Sequence, residues 1–537
     1  MSKNNFLKGA AILGIAGIIV KVMGVFFRIP LTMWIGENGM SYYGSVYPIY
    51  TLFLIISTAG IPVAISRMVS ERIAVKNYAG AHKVFQISVW LMAALGFVSF
   101  GIVYFNAGFI ETSILRNPGA RLSLEAIAPS LILVPIMSAY RGYFQGRQNM
   151  NPTAVSQLFE QFFRVAVGLG LAYFLLDSGY EAVCAGATFG STAGAGAGLF
   201  IVIIIYLLSR KTIKRYIRRN KSHSEEESCW SIIKKIIIIA VPITIGASIL
   251  PLMEAIDSSM VMGRLQDTGW TLAQSKSLWG RFSGYCNSII GLPQVFVQAI
   301  AMSLVPAISA GFKVNDMNEV KDNMRFSMRS AMIIGFPCAV GIFSLAHPIL
   351  SLLYRDPERA AEVAAAAPTL RVMCLCIIFM SSLQTLTGIL QGIGRQNVPV
   401  KNLAIGAVAK VIITYILVGI KAVNVNGASL GTVAAYLVAT VLNMRDIKKY
   451  TGVTFDFNMT FIKPFAASAV MGLCAAASYK LLFLATSSND IACLASIIIG
   501  VAVYGALILG LKAITKDEIA RLPKGDKLVK ILDKFIK

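Results

Sequence analysis

Gly142-Tyr143-Phe144-Gln145-Gly146-Arg147-Gln148-Asn149-Met150-Asn151-Pro152 returns, altered, as Gly388-Ile389-Leu390-Gln391-Gly392-Ile393-Gly394-Arg395-Gln396-Asn397-Val398-Pro399. Gly142, Gln145 and Gly146 reappear at a constant offset of 246 as Gly388, Gln391 and Gly392. Arg-Gln-Asn follows in both, two residues later in the second copy, and a proline closes each stretch. Beyond it, Arg164 aligns with Lys410 at the same offset. An echo of this kind marks a duplicated unit. As a local structure it reads as a helix end, a turn and a new helix. Gly allows close helix approach and tight backbone, Gln and Asn satisfy exposed backbone groups, and Pro opens the next helix in its first turn.

The surroundings say what is duplicated. Of 537 residues 56% are apolar and only 14% charged, against about 25% charged in soluble domains. About 300 apolar residues, at about 20 per crossing, supply about 15 crossings. Fourteen apolar segments are readable, at 6–27, 43–66, 83–107, 122–146, 154–176, 182–208, 232–262, 282–311, 326–350, 366–392, 400–420, 425–444, 461–485 and 491–513. Fourteen crossings put both termini on one side. That side then carries 35 of the 49 Lys and Arg, the other side 11, with Lys21, Arg164 and Lys410 inside segments. Cytoplasmic loops are rich in Lys and Arg, so both termini are expected in the cytoplasm. Most of the net charge of +23 is therefore topological, and no nucleic-acid partner is expected. The first segment lacks a cleavage site after a short apolar core and is read as a retained helix.

Each copy of the motif ends the fourth segment of its half and opens the fifth. Equal rank on the same side implies a parallel repeat, six helices and six, about an axis along the membrane normal. The expected organisation is an N-terminal lobe over 1–208, a basic linker over 209–231, a C-terminal lobe over 232–450, and an extra helix pair with a basic tail over 451–537. The linker is expected to be a solvated loop. The eight Cys and three His show no metal-ligand spacing, and no cofactor is expected.

Three further stretches matter: Lys21-Val22-Met23-Gly24 with Arg28, Gly60-Ile61-Pro62-Val63-Ala64-Ile65-Ser66-Arg67, and Leu250 to Leu265 with Asp257. With the duplicated G-x-x-Q-G and the six, six and two arrangement, they resemble the multidrug/oligosaccharidyl-lipid/polysaccharide (MOP) exporter superfamily along the whole chain. The likeness is strongest to its stage V sporulation B and MurJ-type lipid II flippase branches. It implies an all-α integral membrane protein with two six-helix lobes in a V around a central cavity. Helices one, two, seven and eight would line the cavity, and the last two helices would form a groove for a polyprenyl tail. It also implies transport of a lipid-linked saccharide across the bacterial plasma membrane by alternating access, with lipid II, the undecaprenyl-diphosphate-linked peptidoglycan precursor, as the first candidate.

Charges inside membrane helices are costly and point to function. Lys21, Arg28 and Arg281 are candidates for gripping the diphosphate, Arg through two donors and Lys as a point charge. Glu254 and Asp257, one turn apart, would hold those cations in the empty state or bind a coupling cation; a cationic cavity would also respond to membrane potential. A structural ion-pair network is the plainer alternative. Tyr285, Asn287 and Gln294 are candidate sugar contacts. Arg164 is expected to pair with Glu160 four residues earlier, and Lys410 to snorkel to the cytoplasmic side. The partners expected are the saccharide lipid and membrane phospholipid, with the chain a monomer. An enzyme is disfavoured: Asp-x-Asp, His-Glu-x-x-His and a Walker loop are absent from the sequence. Another polyprenyl-linked glycan, a cation-coupled multidrug exporter and a non-transporting scaffold stay open.

Overall fold

Helix α1, Lys3–Thr58, would be about 84 Å long if straight, against about 30 Å of hydrocarbon. It is broken at Gly36, whose φ of 58° and ψ of −161° lie where a side chain is strained. The two parts are each long enough to cross the membrane, the apolar segment 6–27 lying before the break and 43–66 running from the second part into the next helix. After a second break at Gly60, α2 runs Ile61–Ala74 with proline in its first turn. The computed structural model describes residues 3–219, 227–291, 293–294, 297–298, 308–309, 311–312 and 316–514.

In chain order follow α3 Tyr78–Phe105, α4 Arg121–Ile127, α5 Ser130–Gly146, α6 Asn151–Phe174, α7 Tyr180–Arg219, α8 Cys229–Asp267 and α9 Leu272–Gly280. A π-helical turn over Arg281–Cys286 extends α9. Then come α10 Met317–Ser344, α11 Ala346–Leu353, α12 Ala360–Met373, α13 Leu375–Gly392, α14 Asn397–Val418, α15 Asn426–Thr451, α16 Lys463–Thr486 and α17 Asn489–Gly510. No strand occurs among the described residues. Eleven stretches among them are long and apolar enough to span a membrane, and one of these, Ile12–Ala74, has 63 residues. The chain is an all-helical, multi-pass membrane protein, and this tally does not fix the number of crossings at fourteen.

The linker departs from expectation. α7 continues through Arg219 and α8 starts at Cys229, so of the described residues in 209–231 all but 227 and 228 are helical. Arg and Lys are good helix formers and simply carry the crossing on into water.

By packing, the chain divides into two units, Met1–Ser288 with Tyr415–Val425, and Ile289–Thr414 with Asn426–Lys537. This division runs past the linker, on which the repeat places the lobe boundary. In the first unit α6 and α7 pack almost backbone to backbone. A Cβ on Gly194 would lie 2.4 Å from the Glu160 carbonyl oxygen, and one on Gly190 2.6 Å from that of Arg164. Small residues every fourth position let membrane helices approach this closely. In the second unit the final pair, α16 and α17, packs on α10, where the Tyr504 hydroxyl donates to the Ile333 carbonyl at 2.7 Å.

Both copies of the motif fold alike. In the first, the Asn149 N–H bonds the Phe144 carbonyl (3.0 Å) and the Gln148 N–H that of Gln145 (2.8 Å). In the second, Arg395 bonds Leu390 (2.8 Å) and Gly394 bonds Gln391 (3.0 Å). These are the paired bonds that end a helix through a left-handed residue, Gln148 (φ 57°) and Gly394 (φ 78°). The next helix starts at Asn151 and at Asn397. Every one of these positions keeps the 246 offset, so the two-residue slip of Arg-Gln-Asn is no insertion. The glycines also make contact: a Cβ on Gly142 would meet the Pro62 carbonyl at 2.9 Å, and one on Gly146 that of Ser66 at 2.7 Å. Gln145 donates weakly to the Thr153 hydroxyl (3.4 Å), Pro152 stands in the first turn of α6, and Pro399 is the third residue of α14. Gly388 and Gly392 are buried, and the Ser309 hydroxyl donates to the Gly392 carbonyl at 2.9 Å.

Candidate functional site

Within the first unit, Arg28, Glu254, Asp257 and Asn287 line one small polar cavity of about 60 Å³, together with Gly44, Tyr47, Pro48, Trp279, Phe282 and Ser283. The fold delivers these groups from four places. The first half of α1 brings Arg28, and the half after Gly36 brings Gly44 and Tyr47. Glu254 and Asp257 stand three residues apart on α8, hence on one face, just after Pro251. The π turn carries Phe282 and Ser283 inward; such turns recur at functional sites. Gly280 and Gly44 let it close on α1: a Cβ on Gly280 would lie 1.7 Å from the Glu37 carbonyl oxygen, and one on Gly44 2.2 Å from the Ser283 hydroxyl.

The cavity holds a few waters, far too little for a saccharide. Asp257 is 5% exposed, while Glu254 stands at the rim and is exposed. Arg28 lies 5.8 Å from the Tyr43 ring centre. Tyr43 stacks on Tyr47 at 5.4 Å and 12°, and the Arg164 guanidinium sits 5.0 Å from the Tyr47 ring and donates to its hydroxyl at 2.6 Å. Two cations thus bracket a tyrosine pair, of which Tyr47 lines the cavity.

Other candidates are placed differently. Lys21 is exposed and not among the lining residues; seven residues before Arg28 on a helix, it shares that face, about 10.5 Å along the axis. The Arg281 guanidinium is engaged by Glu37, Nε to Oε2 at 2.5 Å and Nη2 to Oε1 at 3.2 Å, and the Ser277 hydroxyl donates to the same carboxylate. Tyr285 is 0% exposed and is not presented for sugar contact. Gln294 belongs to the second unit.

Two expectations are corrected. Glu160 pairs with Arg141 at 2.8 Å, not with Arg164. The Arg141 guanidinium also donates to Ser156 at 2.7 Å, one turn from Glu160, so α5 supplies a better-anchored donor than Arg164, which is turned toward Tyr47. Lys410 is 4% exposed, so its amine does not snorkel to the surface. Sequence reasoning missed Glu37 and the tyrosines. Nothing local links Glu37 to Arg281, 244 residues away; Tyr43, Tyr47 and Tyr50, by contrast, are a helical-spacing stripe readable in the sequence.

The second unit holds a cavity of another character, about 580 Å³ and almost wholly apolar. Its walls come from α10, α11, α16 and α17, with Ile333, Cys338, Leu345, Met471, Gly500 and Tyr504 among them.

Comparison with known proteins agrees with this architecture. The family described as "Polysaccharide biosynthesis protein" matches residues 6–312, and the MatE family matches 283–416. The chain is 27% identical to stage V sporulation protein B of Bacillus subtilis (strain 168), over 98% of this chain and 100% of that protein. It is 26% identical to lipid II flippase MurJ of the same organism, over 94% of each. A solved structure of lipid II flippase MurJ in an inward closed conformation superposes with a TM-score of 0.65 at 15% identity, over 92% of this chain and 97% of that one. An inward-facing multidrug resistance MATE family transporter gives 0.66 at 14% identity, over 81% and 98%. The duplicated helix-end motif, the all-helical membrane fold and a match across more than half of its length agree: this chain belongs to the polysaccharide biosynthesis protein family, within the MOP superfamily.

Proposed function

We propose that this protein is a flippase for a polyprenyl-diphosphate-linked saccharide, lipid II being the first candidate, with both termini in the cytoplasm. The observation that carries the proposal is that Arg28, Glu254 and Asp257 line one small cavity. A guanidinium facing two carboxylates inside the membrane is held in readiness for a stronger anion. When the diphosphate enters, Arg28 grips it through two donors and Lys21 adds a point charge along the same face. Glu254 and Asp257 receive the cation back when the substrate leaves, or take up a coupling cation. Arg281 joins the grip only on releasing Glu37. Asn287 is the sugar contact the cavity supports. The apolar groove of the second unit suits part of an isoprenoid tail. Because the cavity is too small for a saccharide, transport requires the helices to move, as alternating access does.

A second reading, a cation-coupled multidrug exporter, is favoured by the MatE match over 283–416. One experiment separates the two. The chain is expressed while a host's own lipid II flippase is depleted, and lipid II in the outer leaflet is measured. Survival with outward lipid II is expected. Failure despite stable insertion, with another lipid-linked glycan exported, moves the substrate within the class; failure with gain of drug efflux establishes the second reading. If Lys21→Ala and Arg28→Ala each kept full transport at normal abundance, the diphosphate grip would be lost as an idea.

A further inference from the structure

A second charged cavity, of about 330 Å³, lies in the first unit at the end of α2, lined by Arg67, Glu71, Arg72, Glu227 and Lys235 with apolar neighbours. Its centre is a carboxylate supplied by the end of the basic linker. Arg72 Nη2 donates to Glu227 Oε2 at 2.7 Å, and Lys235 Nζ to the same oxygen at 3.1 Å. Lys83 Nζ donates to the Glu227 carbonyl at 2.7 Å. The three donors come from α2, α8 and α3. Arg67 pairs with Glu71 on its own helix at 2.8 Å. Among the described residues, three cations and two carboxylates thus line the cavity, a surplus of one positive charge, with Lys83 beside it. The Arg72 side chain is only 11% exposed and also donates to the Met68 carbonyl at 3.1 Å. A guanidinium so placed is costly without an anion, and one carboxylate leaves most of this volume unfilled.

We propose that this cavity is a binding site for a phosphate-bearing anion, with Glu227 as its built-in competitor. The site is separate from the transport cavity and stands whether or not the saccharide assignment does. An arginine and a lysine converging from different helices suit phosphate better than a single carboxylate, since phosphate offers more oxygens and more charge. Glu227 is tethered two residues before α8, so it competes at a high effective concentration. It competes as an anion: partial burial pushes its pKa up, yet the hydrogen bond from Lys235 and the charge of Arg72 outweigh burial and hold it below the usual carboxylate value. The cavity lies at the C-terminal end of the basic linker, which supplies Glu227. Two sources share the required chemistry, an anionic phospholipid headgroup and free inorganic diphosphate; a cytoplasmic leaflet rich in anionic lipid would supply the first.

The test uses the full chain in a maltoside detergent, which carries no phosphate. One arm titrates inorganic diphosphate by calorimetry. The other counts phosphatidylglycerol retained against phosphatidylcholine by native mass spectrometry. Glu227→Gln is expected to tighten binding about tenfold in at least one arm by removing the tethered competitor, and that arm identifies the source. Adding Arg72→Gln to Glu227→Gln should return binding to background. Glu227→Asp should bind like the unsubstituted chain. Lys235→Gln, at a side chain 51% exposed, keeps the fold and should weaken the anion several-fold even if the Glu227 variants prove unstable. The proposal is overturned if Glu227→Gln tightens neither arm, if Arg72→Gln leaves the tightened binding intact, or if Lys235→Gln changes nothing.

Discussion

The turn at 142–152 and the turn at 388–399 share their backbone hydrogen bonds and differ in the residue at the left-handed position, Gln148 in one and Gly394 in the other. The two packing units, whose boundary does not follow the repeat, differ in their cavities. The first holds a narrow polar cavity with Arg28, Glu254 and Asp257; the second holds a wide apolar one. Even the aligned basic pair differs: Arg164 reaches Tyr47 in the cavity wall, while Lys410 is buried. The repeat keeps the helix end that the backbone needs, while the side chains around it differ.

The largest expected effect tests that division of labour. Arg28→Ala should lower transport on the order of a hundredfold, from the loss of a bidentate charge-assisted contact worth about 1.5–3 kcal/mol, while Arg28→Lys keeps a measurable fraction. Gly500→Leu, which narrows the apolar groove, should leave a short-tailed diphosphate substrate unaffected and penalise a long-tailed one. Outward flux of the two substrates, compared in proteoliposomes, decides it. Equal losses for both substrates in both variants would mean that head and tail are not divided between the units.

The next effect concerns the frame. Gly146→Ala brings a Cβ within 2.7 Å of the Ser66 carbonyl, so α5 must move off α2 at a cost of about 1–3 kcal/mol. If the packing is duplicated with the hydrogen bonds, Gly392→Ala costs as much. Unfolding in mixed micelles measures both; a cheap Gly392→Ala would restrict the duplication to the turn itself.

Much of this frame was legible. Apolar length, the side-by-side charge count and the 246-residue echo point to a duplicated helical membrane fold, because each depends on a one-dimensional pattern. Arg28, Glu254, Asp257 and Asn287 stood out because charge or polarity inside an apolar run is visible in one dimension. Glu37 did not stand out, because a carboxylate in a short break between crossings looks like any loop residue until Arg281 arrives from 244 residues away. Arg164 was given the wrong partner because i,i+4 spacing describes one helix alone, and Arg141 reaches Glu160 from another. The π turn at Arg281–Cys286, which carries two cavity residues inward, has no sequence signature of its own.

The smallest effect is the cleanest test of the comparison itself. A Cβ added at Gly394 meets nothing within 4 Å, so Gly394→Gln pays only for the backbone. A non-glycine residue in the left-handed region costs about 1–2 kcal/mol, partly offset by about 0.5–1 kcal/mol as the unfolded chain loses glycine's freedom. The net loss should be about 1 kcal/mol. Gln148→Gly runs the same exchange backwards, relieving the backbone and loosening the unfolded chain, and should gain a similar amount. Equal and opposite shifts in unfolding free energy mean that the two turns are one device with one residue out of place. If Gln148→Gly instead destabilises, the Gln148 side chain contributes contacts of its own in the first unit, and the two turns have diverged in more than their loop residue.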